Sequence, residues 1–243
     1  MGRVWDRFLT AQDRASAAGR ADRRFGFGER PALLMIDLYR WVFGDRPQPL
    51  LEAQAEWPGS CGLAAWEALP YIRRLLEAAR AAKLPVIYST DARIDGTPTI
   101  GWAKSMRAEG LAPPPTAGPM AERRRRMNQI VDEVAPLPTE LVIEKNSPSV
   151  FWMTPLIGQL VARGVDTLIV AGESTSGCVR SAVVDGCTNR FRMIVAEECV
   201  FDRTEASHAI NLFDMDQKYA DVLALEDILA WLARYGRENA LPV

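Results

Sequence analysis

Three reactive side chains close segments whose other residues are mostly apolar or small, Glu144 and Glu173 being the exceptions. Asp37 ends Pro31-Ala-Leu-Leu-Met-Ile-Asp37, Lys145 ends Leu141-Val-Ile-Glu-Lys145, and Cys178 ends Ala171-Gly-Glu-Ser-Thr-Ser-Gly-Cys178. A thiol to activate, a cation to stabilise its anion and a carboxylate to carry its proton form a set suited to nucleophilic catalysis. Each member alone has an ordinary explanation. Cys178 could be a small buried residue at a tight turn, Lys145 could point to solvent, and Asp37 could cap a turn. Their shared placement favours the chemical reading over any single member. At a strand-to-helix turn, unpaired N–H groups and the helix dipole would favour a Cys178 thiolate and lower its pKa. The same N–H groups could hold an oxyanion formed by attack on a carbonyl. Asp91 and Glu197 also close apolar runs and are lesser candidates.

The remaining chemistry-bearing residues narrow the field. Cys61, Cys187 and Cys199 lack the setting of Cys178 and read as structural, and no pair of cysteines has zinc-knuckle or Cys-x-x-Cys spacing. His208 is the single histidine, so a site built from two histidines of one chain is excluded. It lies on an expected helix and reads as a packed or partly exposed residue; a Cys178–His208 hydrolase is a lesser alternative. Lys and Arg number 29 against 31 Asp and Glu, for a net charge of −2, so no basic excess points to nucleic acid. The run Arg123-Arg-Arg-Arg126 would spread around a helix axis and reads as a solvated face. Gly26-Phe-Gly28 precedes a strand instead of following one, so it is no dinucleotide fingerprint. No apolar run approaches the roughly 20 residues that span a bilayer. Met1 to Arg24 is charged throughout, without the apolar centre of a secretion signal, so a cytoplasmic protein with reduced thiols is expected.

These residues need a scaffold that brings strand ends together. With 48% hydrophobic and 25% charged residues in 243, the chain has an ordinary globular composition and suits one domain. Strands are expected over 31–37, 85–91, 141–145, 167–171, 192–196 and 222–224. Helices are expected over 63–82, where Leu69, Ile72, Leu75, Leu76 and Ala79 form one stripe, and over 154–163, 178–189, 205–220 and 225–235. Gly164 stands just past the second of these. This alternation predicts an α/β fold: a single-domain, three-layer αβα arrangement around a six-stranded, mostly parallel sheet. Residues 1–30 form a helical arm that docks on its own domain or on a neighbouring subunit, and residues 31–243 form the domain. Segment 38–61 reads as a long loop, and 92–120 as an irregular insertion over one end of the sheet. In such sheets ligands bind beyond the carboxyl ends of the strands, where Asp37, Lys145 and Cys178 fall.

Residues 30 to 235 resemble the isochorismatase-like cysteine hydrolases, most closely their N-carbamoylsarcosine amidohydrolase branch. The resemblance rests on Asp37 and Lys145 at their strand ends and on Ser174-Thr-Ser-Gly-Cys178-Val-Arg. It also rests on Glu198-Cys-Val-Phe-Asp-Arg203 and on Ser207-His-Ala-Ile-Asn-Leu-Phe-Asp-Met-Asp-Gln-Lys-Tyr-Ala-Asp221. It implies a Cys178–Asp37–Lys145 triad, a cis peptide between Glu173 and Ser174, and an oxyanion hole made by the N–H groups of Ser174 and Cys178. It further implies that Arg203 grips a substrate carboxylate, with Thr175 as a second substrate contact. The substrate class is then a small amide or ureido compound, most closely an N-carbamoyl amino acid such as N-carbamoylsarcosine. A maleamate-type amidase and a non-catalytic thiol-based binding or redox protein are the alternatives. Zinc-binding relatives carry Asp-x-His where this chain has Asp91-Ala-Arg93, so neither metal nor cofactor is expected. The resemblance also implies a homotetramer or homodimer. Glu173 departs from the family pattern, which has a small residue there, and this bears on the shape of the neighbouring pocket.

Overall fold

The computed structural model describes residues 2–18, 24–92 and 118–239. Six strands, β1 (Pro31–Ile36), β2 (Val86–Asp91), β3 (Leu141–Lys145), β4 (Thr167–Glu173), β5 (Arg192–Phe201) and β6 (Asp221–Leu223), form one sheet in the order β3-β2-β1-β4-β5-β6. Every pairing is parallel. The helices are α1 (Ala11–Ala18), α2 (Arg40–Phe43), α3 (Leu50–Glu56), α4 (Leu63–Ala81), α5 (Gly118–Arg126), α6 (Leu156–Ala162), α7 (Arg180–Thr188), α8 (Glu205–Lys218) and α9 (Leu225–Glu238).

Strand periodicity divides the core in two. Leu33 and Met35 of β1, Ile169 and Ala171 of β4, and Ile194 and Ala196 of β5 face α4 and α9. Their neighbours Leu34, Ile36, Leu168, Val170, Met193 and Val195 face α6, α7 and α8. A strand with both faces covered must be apolar at every position, which explains the unbroken run at 31–36. The stripe on α4 extends beyond the residues picked from spacing to Ala65 and Ala68, all buried.

Two differences from the sequence expectation matter for the site. The region 38–61 is not one loop: α2 and α3 form within it, and Trp57 between them and α4 is fully buried. Strand β5 does not stop at Ala196 but runs to Phe201, because its register against β4 shifts between Val170 and Gly172. Glu197 therefore lies inside a strand and not at its end, and Arg3 pairs with it at 3.2 Å. Arg3 also donates to the Val222 carbonyl at 2.6 Å, and Trp5 is buried near Phe213, so residues 3–5 dock on their own domain. Most of the expected 92–120 insertion lies outside the described residues. The four arginines at 123–126 end α5, where Arg123, Arg125 and Arg126 pair with Glu56, Glu122 and Asp45. Among the described residues, no helix is long and apolar enough to cross a membrane.

Candidate active site

The chain winds outward from β1 to β2 and β3, then returns to β4 on the other side of β1. The point between β1 and β4 is where strand order reverses, and there the connections diverge and leave a crevice at the carboxyl ends. Asp37 follows β1 directly, with φ of 56°, a left-handed conformation that aspartate tolerates better than most side chains. Gly172 lies opposite Ile36 in β4, with φ of 124°, and a Cβ there would fall 1.9 Å from the Ile36 carbonyl oxygen. Only glycine fits so close to β1. The Glu173–Ser174 peptide that follows is cis.

Cys178 sits in a single π-helical turn, Thr175–Val179, that opens into α7. Turns of this kind widen the backbone locally and occur often at functional sites. Lys145 arrives from β3, separated from β1 by β2 and so roughly 10 Å away at ordinary strand spacing. Its long side chain spans that gap. The ammonium reaches Asp37 Oδ2 at 2.7 Å and donates to Cys178 Sγ at 3.5 Å. The structure thus brings together the three strand-end residues singled out from the sequence.

The surroundings tune each member. Ser89 of β2 donates its hydroxyl to Asp37 Oδ1 at 2.7 Å. Oδ2 meets Lys145 as a charge contact without an aligned hydrogen bond, which leaves lone-pair capacity on that buried oxygen. Burial works against the charge of Lys145 and is the largest single influence, but the Asp37 carboxylate acting together with its neighbours, Asp91 among them, outweighs it and holds the amine above its ordinary pKa. The thiol behaves differently from the sequence expectation. Burial and then the Asp37 charge push Cys178 well above the ordinary thiol value, against the opposing pull of Lys145. Cys178 therefore rests as a thiol and not as a preformed thiolate, and ionising it calls for a base. Tyr39, two residues past Asp37, is a buried phenol raised by burial and by the charges of Asp37 and Glu173.

The remaining candidates occupy a second cluster. Arg203 Nη1 lies 2.7 Å from Glu173 Oε1, and its Nη2 donates to the Gly59 carbonyl. Asp202 Oδ2 accepts from the Ser176 N–H at 2.8 Å and Oδ1 from the Arg203 N–H at 2.7 Å, tying this cluster to the cysteine turn. Thr175 is fully buried, and its hydroxyl meets His208 Nδ1 at 2.8 Å. Burial lowers the His208 pKa, and among the described residues no hydrogen bond joins it to Cys178. Asp91 stands opposite Lys145 in the sheet register, and its charge supports the protonated amine. Cys61 and Cys199 are buried free thiols, and Cys187 is a half-buried one on α7. Ser89, Tyr39 and Asp202 were not singled out from the sequence. A serine directly after the start of β2, Val86-Ile87-Tyr88, was the one available signal for the first.

A parallel doubly wound sheet with a cysteine, a carboxylate and a lysine converging at its switch point defines the class: an α/β protein with a cysteine-bearing crevice. The chain belongs to the isochorismatase family, with residues 31–227 matching the isochorismatase domain. It is 35% identical over 218 residues to an N-carbamoylsarcosine amidase from an Arthrobacter species, covering 86% of this chain and 74% of that one. It is also 35% identical over 213 residues to a maleamate amidohydrolase from Pseudomonas putida, covering 86% and 90%. Among solved structures, a cysteine hydrolase from Pseudomonas syringae pv. phaseolicola aligns with a TM-score of 0.70 at 21% identity, covering 87% of this chain and 97% of that one. At that identity the likeness is one of fold.

Proposed function

We propose that the protein is a cysteine-dependent amidohydrolase that releases ammonia from a small amide or ureido compound. The observation that carries this reading is the contact of one buried ammonium with both Asp37, at 2.7 Å, and the Cys178 sulfur, at 3.5 Å. In this reading Asp37 accepts the thiol proton as the sulfur attacks the carbonyl carbon, and Lys145 offsets the negative charge on sulfur. The N–H groups of Ser174 and Cys178 receive the oxyanion. The C–N bond then breaks, Asp37 returns the proton to the departing nitrogen, and ammonia leaves. A thioester remains on Cys178, or a thiocarbamate if the substrate is a ureide. Asp37 next deprotonates a water molecule, whose oxygen displaces the sulfur and restores the thiol.

A thiol raised in pKa fits this scheme, since the proton moves to Asp37 only as the carbon–sulfur bond forms. N-carbamoylsarcosine and maleamate, which give the two relatives their names, are the amides to try first. Assembly into dimers or tetramers belongs to the same reading, supported by the family resemblance, and light scattering tests it. The covalent step is tested by acid-quenching turnover and weighing the intact protein. An adduct of the acyl mass that maps to Cys178 supports the reading. Turnover without any such adduct, undiminished in Cys178→Ala, overturns it.

A further inference from the structure

Glu173 ends β4 immediately before the cysteine turn, and the chemistry proposed above gives it no part. Its carboxylate is buried, 2.7 Å from the Arg203 guanidinium and 3.8 Å from the Cys61 thiol. Arg203 is thereby occupied within the chain. One end of its fork meets Glu173, the other donates to the Gly59 carbonyl, and Asp202 holds its backbone N–H. Lys145 is matched in the same way by Asp37. Each of the two cations thus has its own carboxylate, and Asp202 adds another beside the second pair.

A guanidinium is a good receptor for a carboxylate when both faces of its fork are open and its charge is uncompensated. Neither condition holds at Arg203. A substrate carboxylate placed there would share one cation with Glu173, and two carboxylates in one site cannot both remain ionised without cost. An uncharged substrate end meets no such opposition.

We propose that Glu173 is a specificity-determining residue that cancels Arg203 as an anion receptor, so that the preferred substrate is an amide or ureide whose non-reacting end carries no carboxylate. This rests on the amidohydrolase reading. Burial makes the cancellation depend on pH: it raises Glu173 to about 7, against the pull of Arg203 and with help from Asp37 and Asp202. The carboxylate is therefore ionised in mildly alkaline solution and neutral in mildly acidic solution, and Arg203 regains its net charge as the pH falls.

The test compares matched substrates that differ by one charge: maleamate and its methyl ester, and N-carbamoylsarcosine and its methyl ester. Ammonia release is followed near pH 8, with Cys178→Ala as the blank. The expected result is a kcat/KM about tenfold or more in favour of the esters, a size typical of one unfavourable contact. Glu173→Gln, which keeps the shape and removes the charge, should shift the acid-to-ester ratio about tenfold towards the acids. A merely structural role would change both substrates alike and leave the ratio still. The wild-type ratio as a function of pH needs no variant. Glu173 is faced by Arg203, Asp202, Cys61, Asp37, Tyr39 and Cys178. Titration of the reacting groups affects acid and ester equally, so the ratio isolates Glu173. It should rise towards the acids between about pH 8.5 and 6.5. Wild-type turnover of the acids as fast as the esters, or a ratio flat with pH, overturns the inference. Ammonia release that persists in Cys178→Ala defeats the cysteine-dependent reading on which the inference rests, a separate failure.

Discussion

The Lys145 ammonium stands 2.7 Å from Asp37 Oδ2, and both side chains are almost wholly buried. Such a pair offsets two desolvation costs with one attraction, so removing one partner costs more than removing both. Asp37→Asn and Lys145→Met should each destabilise the fold by about 3–5 kcal/mol, and the double variant by clearly less than their sum. Turnover should fall by about a thousandfold or more in all three, because each lacks a member of the proton-transfer set. Denaturant titration alongside ammonia assays checks both halves. Additive destabilisation would show that the two charges do not act as a pair.

The elevated thiol makes a prediction about reactivity. Alkylation of Cys178 by iodoacetamide should be slow at neutral pH and climb through the alkaline range, since burial and Asp37 both oppose the thiolate. Asp37→Asn removes one of those two causes while Lys145 remains. That variant should therefore alkylate faster than the wild type near pH 7.5 even as it loses turnover. Equal or slower labelling would contradict the assigned electrostatics.

Glu173 links stability to pH. Its folded value of about 7 lies above the 4.5 of an unperturbed glutamate. The folded state therefore binds more protons across this window. Its contribution is fully present below about pH 4.5 and is lost as the pH rises through 7. Relative to Glu173→Gln, the wild type should lose about 2–3 kcal/mol of stability between pH 5 and 8, at 1.36 kcal/mol per pKa unit. Loss of the Arg203 pair shifts the variant by a roughly constant amount, so the slope carries the information. Thermal melts of both proteins across that range check it, and parallel curves would place the Glu173 pKa near its ordinary value.

Local patterns in the sequence carried the scaffold. Runs such as 31–36 are apolar because both faces of a central strand are covered, and that constraint is visible without coordinates. The reversal of strand order at β1 puts Asp37 beside the turn of Cys178, which is why strand-end residues far apart in the chain converge. The pairing of Glu173 with Arg203 was not legible, because thirty positions of chain separate them and no spacing rule connects them. The extension of β5 past Ala196 was hidden by Glu197 and Glu198, which read as a strand end until the register shift is seen. The expected low thiol pKa failed for a physical reason. A helix start favours a thiolate, but here burial and the adjacent Asp37 charge outweigh it.

The central claim is that Cys178 is the nucleophile of an amide hydrolysis. The most direct measurement is ammonia release by wild type and Cys178→Ala, side by side, from maleamate, N-carbamoylsarcosine and their methyl esters. The account predicts release from at least one of these compounds by the wild type and none above background by the variant. Release by Cys178→Ala at more than a few per cent of the wild-type rate would contradict it.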